Sequence, residues 1–166
     1  MTPDSDEVKP EASRRSATVD RVDARYEYGP VTRLVGRYCD AVARFDLEVF
    51  ASIWAEDAIW YLASGDDRHG QKAIVELFRV ARARFELCIQ ETLSSVIDPT
   101  GHARWYVREL QWHKDGKTSQ LIGVYDDTLT GPPEDPLFAS RRFSPLYRGP
   151  IDLSGQLYDA SKLGPS

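Results

Sequence analysis

The sequence has few of the side chains that bind metals or form disulfides. Its 166 residues include only two cysteines and three histidines, and their spacing matches no zinc site. We therefore predict neither a metal ion nor another cofactor. Cys39 and Cys88 lie within regular apolar patterns, which favours buried, reduced thiols in a cytoplasmic protein. A disulfide between them is the open alternative.

Long apolar runs and an excess of positive charge are absent too. No run of about 18 apolar residues occurs, so no membrane-spanning helix is expected. Residues 1–17 carry acids and prolines in place of the apolar core of a secretory signal. The net charge of −5 and the pI of about 5.2 argue against a nucleic-acid-binding protein. We expect a cytoplasmic protein with no nucleic-acid or membrane partner.

The remaining composition fits one folded domain between two polar ends. Residues 1–17 have too few apolar side chains to offset the entropy lost on ordering, so we predict a disordered tail. Residues 18–150 are long enough to bury a single core, and residues 151–166 are predicted to be a C-terminal tail on the surface. A short helix over residues 18–28, ended by Gly29–Pro30, is predicted to lead into the domain.

Apolar residues at helical spacing predict three helices in the first half of the domain. Residues 31–45 place apolar side chains every three or four positions, which forms one face of a helix. Asp46 can cap a second, short helix, because its carboxylate accepts hydrogen bonds from free N–H groups. A third helix is predicted over residues 71–85, after an aromatic strand at residues 58–62 and a turn at residues 63–70.

From residue 86 onward the apolar pattern changes to a period of two, which is typical of strands. We predict strands over residues 86–97, 102–113, 118–129 and 137–147. Asp115–Gly116 predicts a two-residue hairpin turn, since glycine tolerates positive φ. Helices followed by antiparallel strands indicate an α+β domain. We expect a strongly curved antiparallel or mixed sheet, wrapped around three N-terminal helices to leave a cone with an open end.

This order of elements resembles the NTF2-like superfamily and, within it, the SnoaL-like branch. The segments that carry the resemblance are residues 36–62, 69–78, 103–110, 123–129 and 138–150. The resemblance implies an NTF2-like cone with a deep apolar pocket, and a homodimer or homotrimer. Members of the superfamily include ketosteroid isomerase, scytalone dehydratase, bile-acid dehydratases, limonene epoxide hydrolase, polyketide cyclases and the non-catalytic small subunits of ring-hydroxylating dioxygenases.

Tyr38 and Glu109 are the candidate catalytic residues. Tyr38 lies on the apolar face of the first long helix, so we expect its phenol to point inward and donate to a substrate oxygen. Glu109 shares a strand face with Trp105 and Val107, where a carboxylate could move a proton. By resemblance, related isomerases and dehydratases carry a functional tyrosine at the Tyr38 position, and bile-acid dehydratases a catalytic carboxylate at the Glu109 position. The alternatives are a core tyrosine and an exposed glutamate paired with a cation.

Other residues are predicted to line the pocket. Facing alternates along a strand, so only one of Asp126 and Asp127 points inward, and only one of Arg141 and Arg142. The predicted pocket residues are Trp54, Trp60, Tyr61, Cys88, Trp105, Tyr125, Asp127 and Arg142. Aromatic side chains in an apolar pocket favour a flat cyclic ligand.

Two positions depart from the dehydratase pattern that the resemblance implies. Ala43 stands where related dehydratases carry an aspartate, and residues 86–91 contain no histidine. Our preferred hypothesis is a cofactor-independent lyase, isomerase or cyclase that acts on a hydrophobic cyclic small molecule, polyketide-like or steroid-like, by general acid–base chemistry. The alternatives are a non-catalytic ligand-binding or assembly subunit of the dioxygenase type, and an epoxide hydrolase.

Overall fold

The computed structural model describes residues 25–152 and the backbone of residues 156–157. The predicted tail at residues 1–17 lies outside the described residues, as do most of the predicted lead-in helix and most of the C-terminal tail. Residues 25–27 are not helical. The pair Gly29–Pro30 therefore does not end a helix, as predicted, but lies in the first turn of the long one. Proline is tolerated there because its missing N–H would have no partner in a first turn.

The described residues form three helices: α1 (Tyr28–Arg44), α2 (Leu47–Ser52) and α3 (Gln71–Arg82). α1 buries the apolar face that the sequence predicts, and it ends at Phe45, whose backbone is left-handed (φ 56°). Asp46 caps α2 as predicted, because its carboxylate accepts a hydrogen bond from the Val49 N–H at 2.9 Å. Within the described residues, no helix is long and apolar enough to cross a membrane.

The strands form one open, mixed sheet. The strands are β1 (Trp54–Tyr61), β2 (Arg68–His69), β3 (Phe85–Asp98), β4 (His102–His113), β5 (Thr118–Thr130), β6 (Leu137–Gly149) and β7 (Gln156–Leu157). Their order is β2-β1-β6-β5-β4-β3, with β7 paired to β6. β1 runs parallel to β6, and the other pairs are antiparallel. This architecture confirms the predicted α+β fold class, while the short strands β2 and β7 were not predicted.

The hairpin between β4 and β5 differs from the predicted two-residue turn. The His113 N–H donates to the Lys117 carbonyl at 2.9 Å, which leaves a three-residue loop, 114–116. The Gly116 N–H donates back to the His113 carbonyl, and Gly116 has a φ of 82°. A type I turn followed by a left-handed residue is the usual form of a three-residue hairpin loop. Glycine is thus needed where predicted, but in a longer loop.

The helices cover one face of the sheet, which we call the inner face; the opposite face is the outer face. α1 packs on β3, and α3 packs on β1. Between them lies an aromatic core in which Phe50 and Phe78 stack at 3.8 Å and Trp54 lies 5.5 Å from Trp60, measured between ring centroids. These large buried rings fill the base of the cone and fix α2 and α3 against the sheet.

Gly123 on β5 provides a test of packing inside the cone. A methyl group added there would collide with the ring of Phe143 and would lie 2.8 Å from the Ser144 carbonyl oxygen. We expect Gly123→Ala to lower the free energy of unfolding by about 1–3 kcal/mol, the cost of overpacking. Gly36→Ala is the matched control, because an added methyl group meets nothing within 4 Å on α1. That change should raise stability by about 0.5–1 kcal/mol in urea unfolding, and equal effects of the two changes would contradict this account.

Candidate functional site

Tyr38 lies at the centre of the inner face. Helical spacing places it on the apolar side of α1, where only 2% of its surface is exposed. Its ring is nearly perpendicular to those of Tyr125 and Phe138, at centroid distances of 5.8 and 6.0 Å. Its hydroxyl lies 3.1 Å from that of Tyr125 on β5, so the two phenols share a hydrogen bond. The side chain of Tyr38 therefore points inward, as predicted.

A row of hydrogen bonds joins these phenols to Glu109. Gln90 on β3 donates from Nε2 to the Tyr125 hydroxyl at 3.3 Å and also to Oε2 of Glu109. The strand register explains the row, since Gln90 is paired directly with Glu109 and both side chains project from the inner face. The two predicted catalytic residues, Tyr38 and Glu109, are therefore linked through Tyr125 and Gln90.

The row continues from Glu109 toward the hairpin end of the sheet. Gln111 donates to Oε1 of Glu109, and its own carbonyl accepts from the Ser119 hydroxyl at 2.7 Å. His113 lies 2.8 Å from the same hydroxyl. Gln90 and Gln111 thus hold one carboxylate oxygen each, which fixes the orientation of the Glu109 carboxylate.

A buried ion pair lies beneath the phenols. Arg141 on β6 donates from Nε and Nη2 to the two carboxylate oxygens of Asp127, at 2.8 and 2.7 Å. Its guanidinium carbon lies 4.2 and 4.1 Å from the ring centroids of Tyr38 and Tyr125. The remaining nitrogen, Nη1, is buried and has no hydrogen-bond partner among the described residues. A positive charge with an uncommitted donor therefore faces both phenols.

Burial keeps the two phenols protonated. Removal from water raises the pKa of Tyr38 to about 12, although the charge of Arg141 and the hydrogen bond with Tyr125 act in the opposite direction. Burial also raises the pKa of Tyr125, and the charges of Tyr38 and Glu109 add to that effect. Both phenols can therefore donate hydrogen bonds at neutral pH.

The same balance of burial and charge acts on the ion pair. Burial raises the pKa of Asp127, against the charge and hydrogen bonds of Arg141, which lower it. Burial opposes the positive charge of Arg141, but the charge and hydrogen bonds of Asp127 outweigh it and raise the pKa of the guanidinium. In these apolar surroundings, the charge of each residue is thus stabilised mainly by its partner.

The raised pKa of Tyr38 predicts a loss of stability at alkaline pH. A tyrosine of the unfolded chain ionises near its ordinary pKa of about 10, whereas folded Tyr38 keeps its proton up to about pH 12. Between these values the unfolded state binds fewer protons, so the free energy of unfolding falls as pH rises. A shift of this size amounts to about 2–3 kcal/mol.

Urea unfolding of the wild type and Tyr38→Phe across this pH range measures the effect. The variant should lose less stability between about pH 10 and about pH 12, because it has no phenol at this position. Tyr28→Phe is the matched control, since Tyr28 is also on α1 but 62% exposed, and it should keep the wild-type slope. Parallel curves for all three proteins would contradict the assignment.

The other predicted pocket residues fall into two groups. Trp54, Trp60 and Trp105 are buried in the core. Tyr61 and Arg142 lie on the outer face, where the Arg142 guanidinium carbon is 4.2 Å from the Tyr61 ring centroid. Tyr61 and Arg142 therefore lie apart from Tyr38 and Glu109. Arg141, rather than the predicted Arg142, takes the inward position beside Tyr38.

Cys88 lies on the inner face beside Glu109. Burial raises the pKa of its thiol, and the charge of Glu109 and a hydrogen bond to it act in the same direction. Cys39 and Cys88 are both free thiols. Burial likewise raises the pKa of Cys39. Neither environment produces the lowered thiol pKa of a nucleophilic cysteine.

Five polar residues of the site were not predicted: Gln90, Gln111, His113, Ser119 and Arg141. The alternation of side chains along a strand could have indicated the two glutamines. Gln90 shares a face with Cys88, and Gln111 shares a face with Glu109. The Ala43 carbonyl accepts a hydrogen bond from Arg82 at 3.2 Å, a backbone contact that does not depend on the side chain at this position. Within residues 25–152, no three His, Cys, Asp or Glu side chains cluster as a metal site.

Several solved structures have a similar fold. A scytalone dehydratase-like protein of Novosphingobium aromaticivorans has a TM-score of 0.70 at 16% identity, over 81% of this chain and 93% of that one. LinA has a TM-score of 0.66 at 18% identity, over 78% and 91% of the two chains. The hexachlorocyclohexane dehydrochlorinase LinA-type3 of Novosphingobium barchaimii has a TM-score of 0.65 at 16% identity, over 78% and 92%. Likeness at this level of identity concerns the fold.

The sequence itself carries a family signature. A family model of the SnoaL-like domain matches residues 22–134, which is more than half of the chain. The match spans α1 to the end of β5 and so includes Tyr38, Glu109 and Asp127. No curated protein sequence matches the chain significantly. With its helices, open mixed sheet and matching signature, the chain belongs to the SnoaL-like branch of the NTF2-like superfamily.

Proposed function

We propose that this protein is a cofactor-independent lyase, isomerase or cyclase that acts on a hydrophobic cyclic small molecule, polyketide-like or steroid-like. The observation that carries the proposal is the row of hydrogen bonds from Tyr38 through Tyr125 and Gln90 to Glu109. It places a proton acceptor and phenolic donors on one face of the sheet, inside the cone. Acid–base chemistry on a ring needs both, one for the C–H bond and one for the oxygen.

Glu109 is proposed to remove a proton from a carbon next to a carbonyl group. It is suited to this because Gln90 and Gln111 hold its two oxygens in place and because it is only partly buried, so a substrate can reach it. An isomerase would return the proton to another carbon, a lyase would expel a leaving group from the neighbouring carbon, and a cyclase would form a ring bond. All three reactions share the first step.

The phenols are proposed to stabilise the oxygen of the resulting enolate. Gln90 already donates to Tyr125, so the Tyr125 hydrogen can go to Tyr38, which leaves the Tyr38 hydrogen for a substrate oxygen. Arg141 supports this role through its positive charge against both rings and its uncommitted Nη1. Donors fixed before the reaction stabilise developing charge without reorganisation in a water-poor site.

Proton exchange in deuterium oxide tests the proposal without knowledge of the product. Cyclic ketones of the polyketide and steroid types would be incubated with the protein, and NMR would follow loss of the hydrogen next to the carbonyl. We expect exchange with the wild type and about a hundredfold slower exchange with Tyr38→Phe. Tyr28→Phe is the control on the same helix and should match the wild type. Exchange that is unchanged in Tyr38→Phe would refute the role of the phenol.

A non-catalytic ligand-binding protein is the second candidate. Ala43 and the histidine-free segment 86–91 favour it, because the acid–base pair of related dehydratases is missing at these positions. Saturable binding of the same ketones without exchange would establish this alternative. An epoxide substrate offered in ¹⁸O-labelled water distinguishes the hydrolase, which would place the label in a diol.

A further inference from the structure

A groove of about 640 Å³ lies on the outer face of the sheet, near the turn between β3 and β4. One row of paired residues crosses it: Val96, Arg104, Asp126, Arg142 and Tyr61, one from each of five strands. Residues paired across strands project to the same side, so these side chains share the outer face. This face of the sheet is opposite to that of Tyr38, although Asp127, the buried partner of Arg141, also borders the groove.

The groove has the size and composition of a small-molecule site. Its volume falls within the range of about 300–1,000 Å³ that is typical of ligand pockets. Val96 is exposed on one wall, and the ring of Tyr61 lies on the opposite wall beneath Arg142. An apolar wall and an aromatic wall on either side of charged groups favour a flat ligand with a polar end.

The two arginines of the groove, Arg104 and Arg142, differ in their partners. Asp126 is bonded to Arg104 at 2.6 Å, and Asp98 accepts hydrogen bonds from the backbone N–H and the hydroxyl of Thr100, both at 2.7 Å. Arg142 is exposed and stacks on Tyr61, and within residues 25–152 it forms no ion pair with a carboxylate. A guanidinium stacked on a ring keeps its in-plane N–H donors for a planar anion.

We propose that the groove is a binding site for a small aromatic carboxylate. The carboxylate would pair with the guanidinium of Arg142, and the aromatic ring would extend from there across the groove toward Val96. The proposal does not rest on the proposed catalytic function, because neither Tyr38 nor Glu109 lines the groove. A carboxylate suits the planar fork of an arginine better than a point charge does, because two parallel N–H···O bonds can form.

Calorimetric titration with 2-naphthoate tests this proposal, with 2-naphthamide as the uncharged probe. We expect the wild type to bind naphthoate, and to bind the amide at least about tenfold more weakly, because a charge-assisted pair is lost. Arg142→Gln should weaken naphthoate binding by a similar factor. Arg84→Gln removes an exposed arginine outside the groove and should leave binding unchanged. Equal affinities of wild type and Arg142→Gln would overturn the proposal.

Two further measurements locate the occupant. In ¹H–¹⁵N spectra, naphthoate should shift the amides of Ala103 and Ser140, which line the groove, and should spare Glu109 and Gln111 on the inner face. Shifts confined to the inner face would assign the ligand to the other site and overturn the proposal. Light scattering tests the rival occupant, a second copy of the chain. An oligomer that Arg142→Gln dissociates, with no naphthoate binding, would also overturn it.

Discussion

Replacing Arg141 with methionine should lower the free energy of unfolding by about 3–5 kcal/mol, the usual cost of removing one partner of a buried ion pair. Arg141 has no exposed surface, and Asp127 has 2%. Without the guanidinium, the Asp127 carboxyl must either stay charged in apolar surroundings or take up a proton. Methionine has a comparable length and flexible packing, so the loss reports mainly on the missing charge and hydrogen bonds. Urea unfolding at neutral pH measures the change.

Two variants separate charge from packing. In Arg141→Met/Asp127→Val, no buried charge remains, and we expect more than half of the lost stability to return. Arg142→Met on the outer face is the control for removing an arginine from β6, and it should cost less than about 1 kcal/mol. A double variant no more stable than Arg141→Met would show that the contacts of the guanidinium with the Tyr38, Tyr125 and Phe138 rings carry the stability.

The contrast between Arg141 and Arg142 shows where sequence reasoning reaches its limit. Alternation along a strand predicts that only one of two neighbours points inward, but it does not say which. The register of β5 with β6 shifts between Thr128 and Leu129, and the register of β1 with β6 shifts as well. After each irregularity, the residues point to the opposite face from the one expected in an ideal strand. The apolar pattern of one sequence does not show where such shifts occur.

The helices and the long strands were more predictable, because each depends on a local signal. The α1 face follows from apolar spacing, the start of α2 from the Asp46 cap, and β4 from its aromatic and β-branched residues. The helix predicted over residues 71–85 ends three residues early, at Arg82. Arg82 donates to the carbonyls of Val42, Ala43 and Phe85. The two contacts with α1 are tertiary, and no local pattern encodes them.

Contacts of the same long-range kind create the candidate site. Tyr38 and Glu109 were predicted separately, each from the face of its own element. Their connection depends on Gln90 and Tyr125, which come from two further strands and meet only when β3, β4 and β5 pair in register. A glutamine in a strand does not indicate a functional site unless its neighbours in the sheet are known. The sequence therefore predicted the two ends of the hydrogen-bonded row, but not the connection between them.

Replacing Glu109 with glutamine should reduce turnover by about 10²–10⁴-fold, the usual contribution of a general base. This substitution removes the proton acceptor but keeps the shape of the side chain. Gln90 can adapt to the new amide, since its buried Oε1 has no partner among the described residues and could accept from the introduced NH₂ group. We therefore expect the stability of Glu109→Gln to stay within about 1 kcal/mol of wild type. A catalytic loss with intact folding would assign the effect to chemistry.

The deuterium exchange assay provides the measurement, and Glu91→Gln provides the matched control. Glu91 also lies in a strand and pairs with Arg108 on the outer face, so its neutralisation should leave exchange unchanged. The double variant Tyr38→Phe/Glu109→Gln should be slowed by less than the product of the single effects, because both groups act on one transition state. Fully multiplicative losses would separate the two residues into independent roles. Full exchange activity of Glu109→Gln would refute the role of Glu109 as the general base and leave the row of hydrogen bonds a structural feature of the cone.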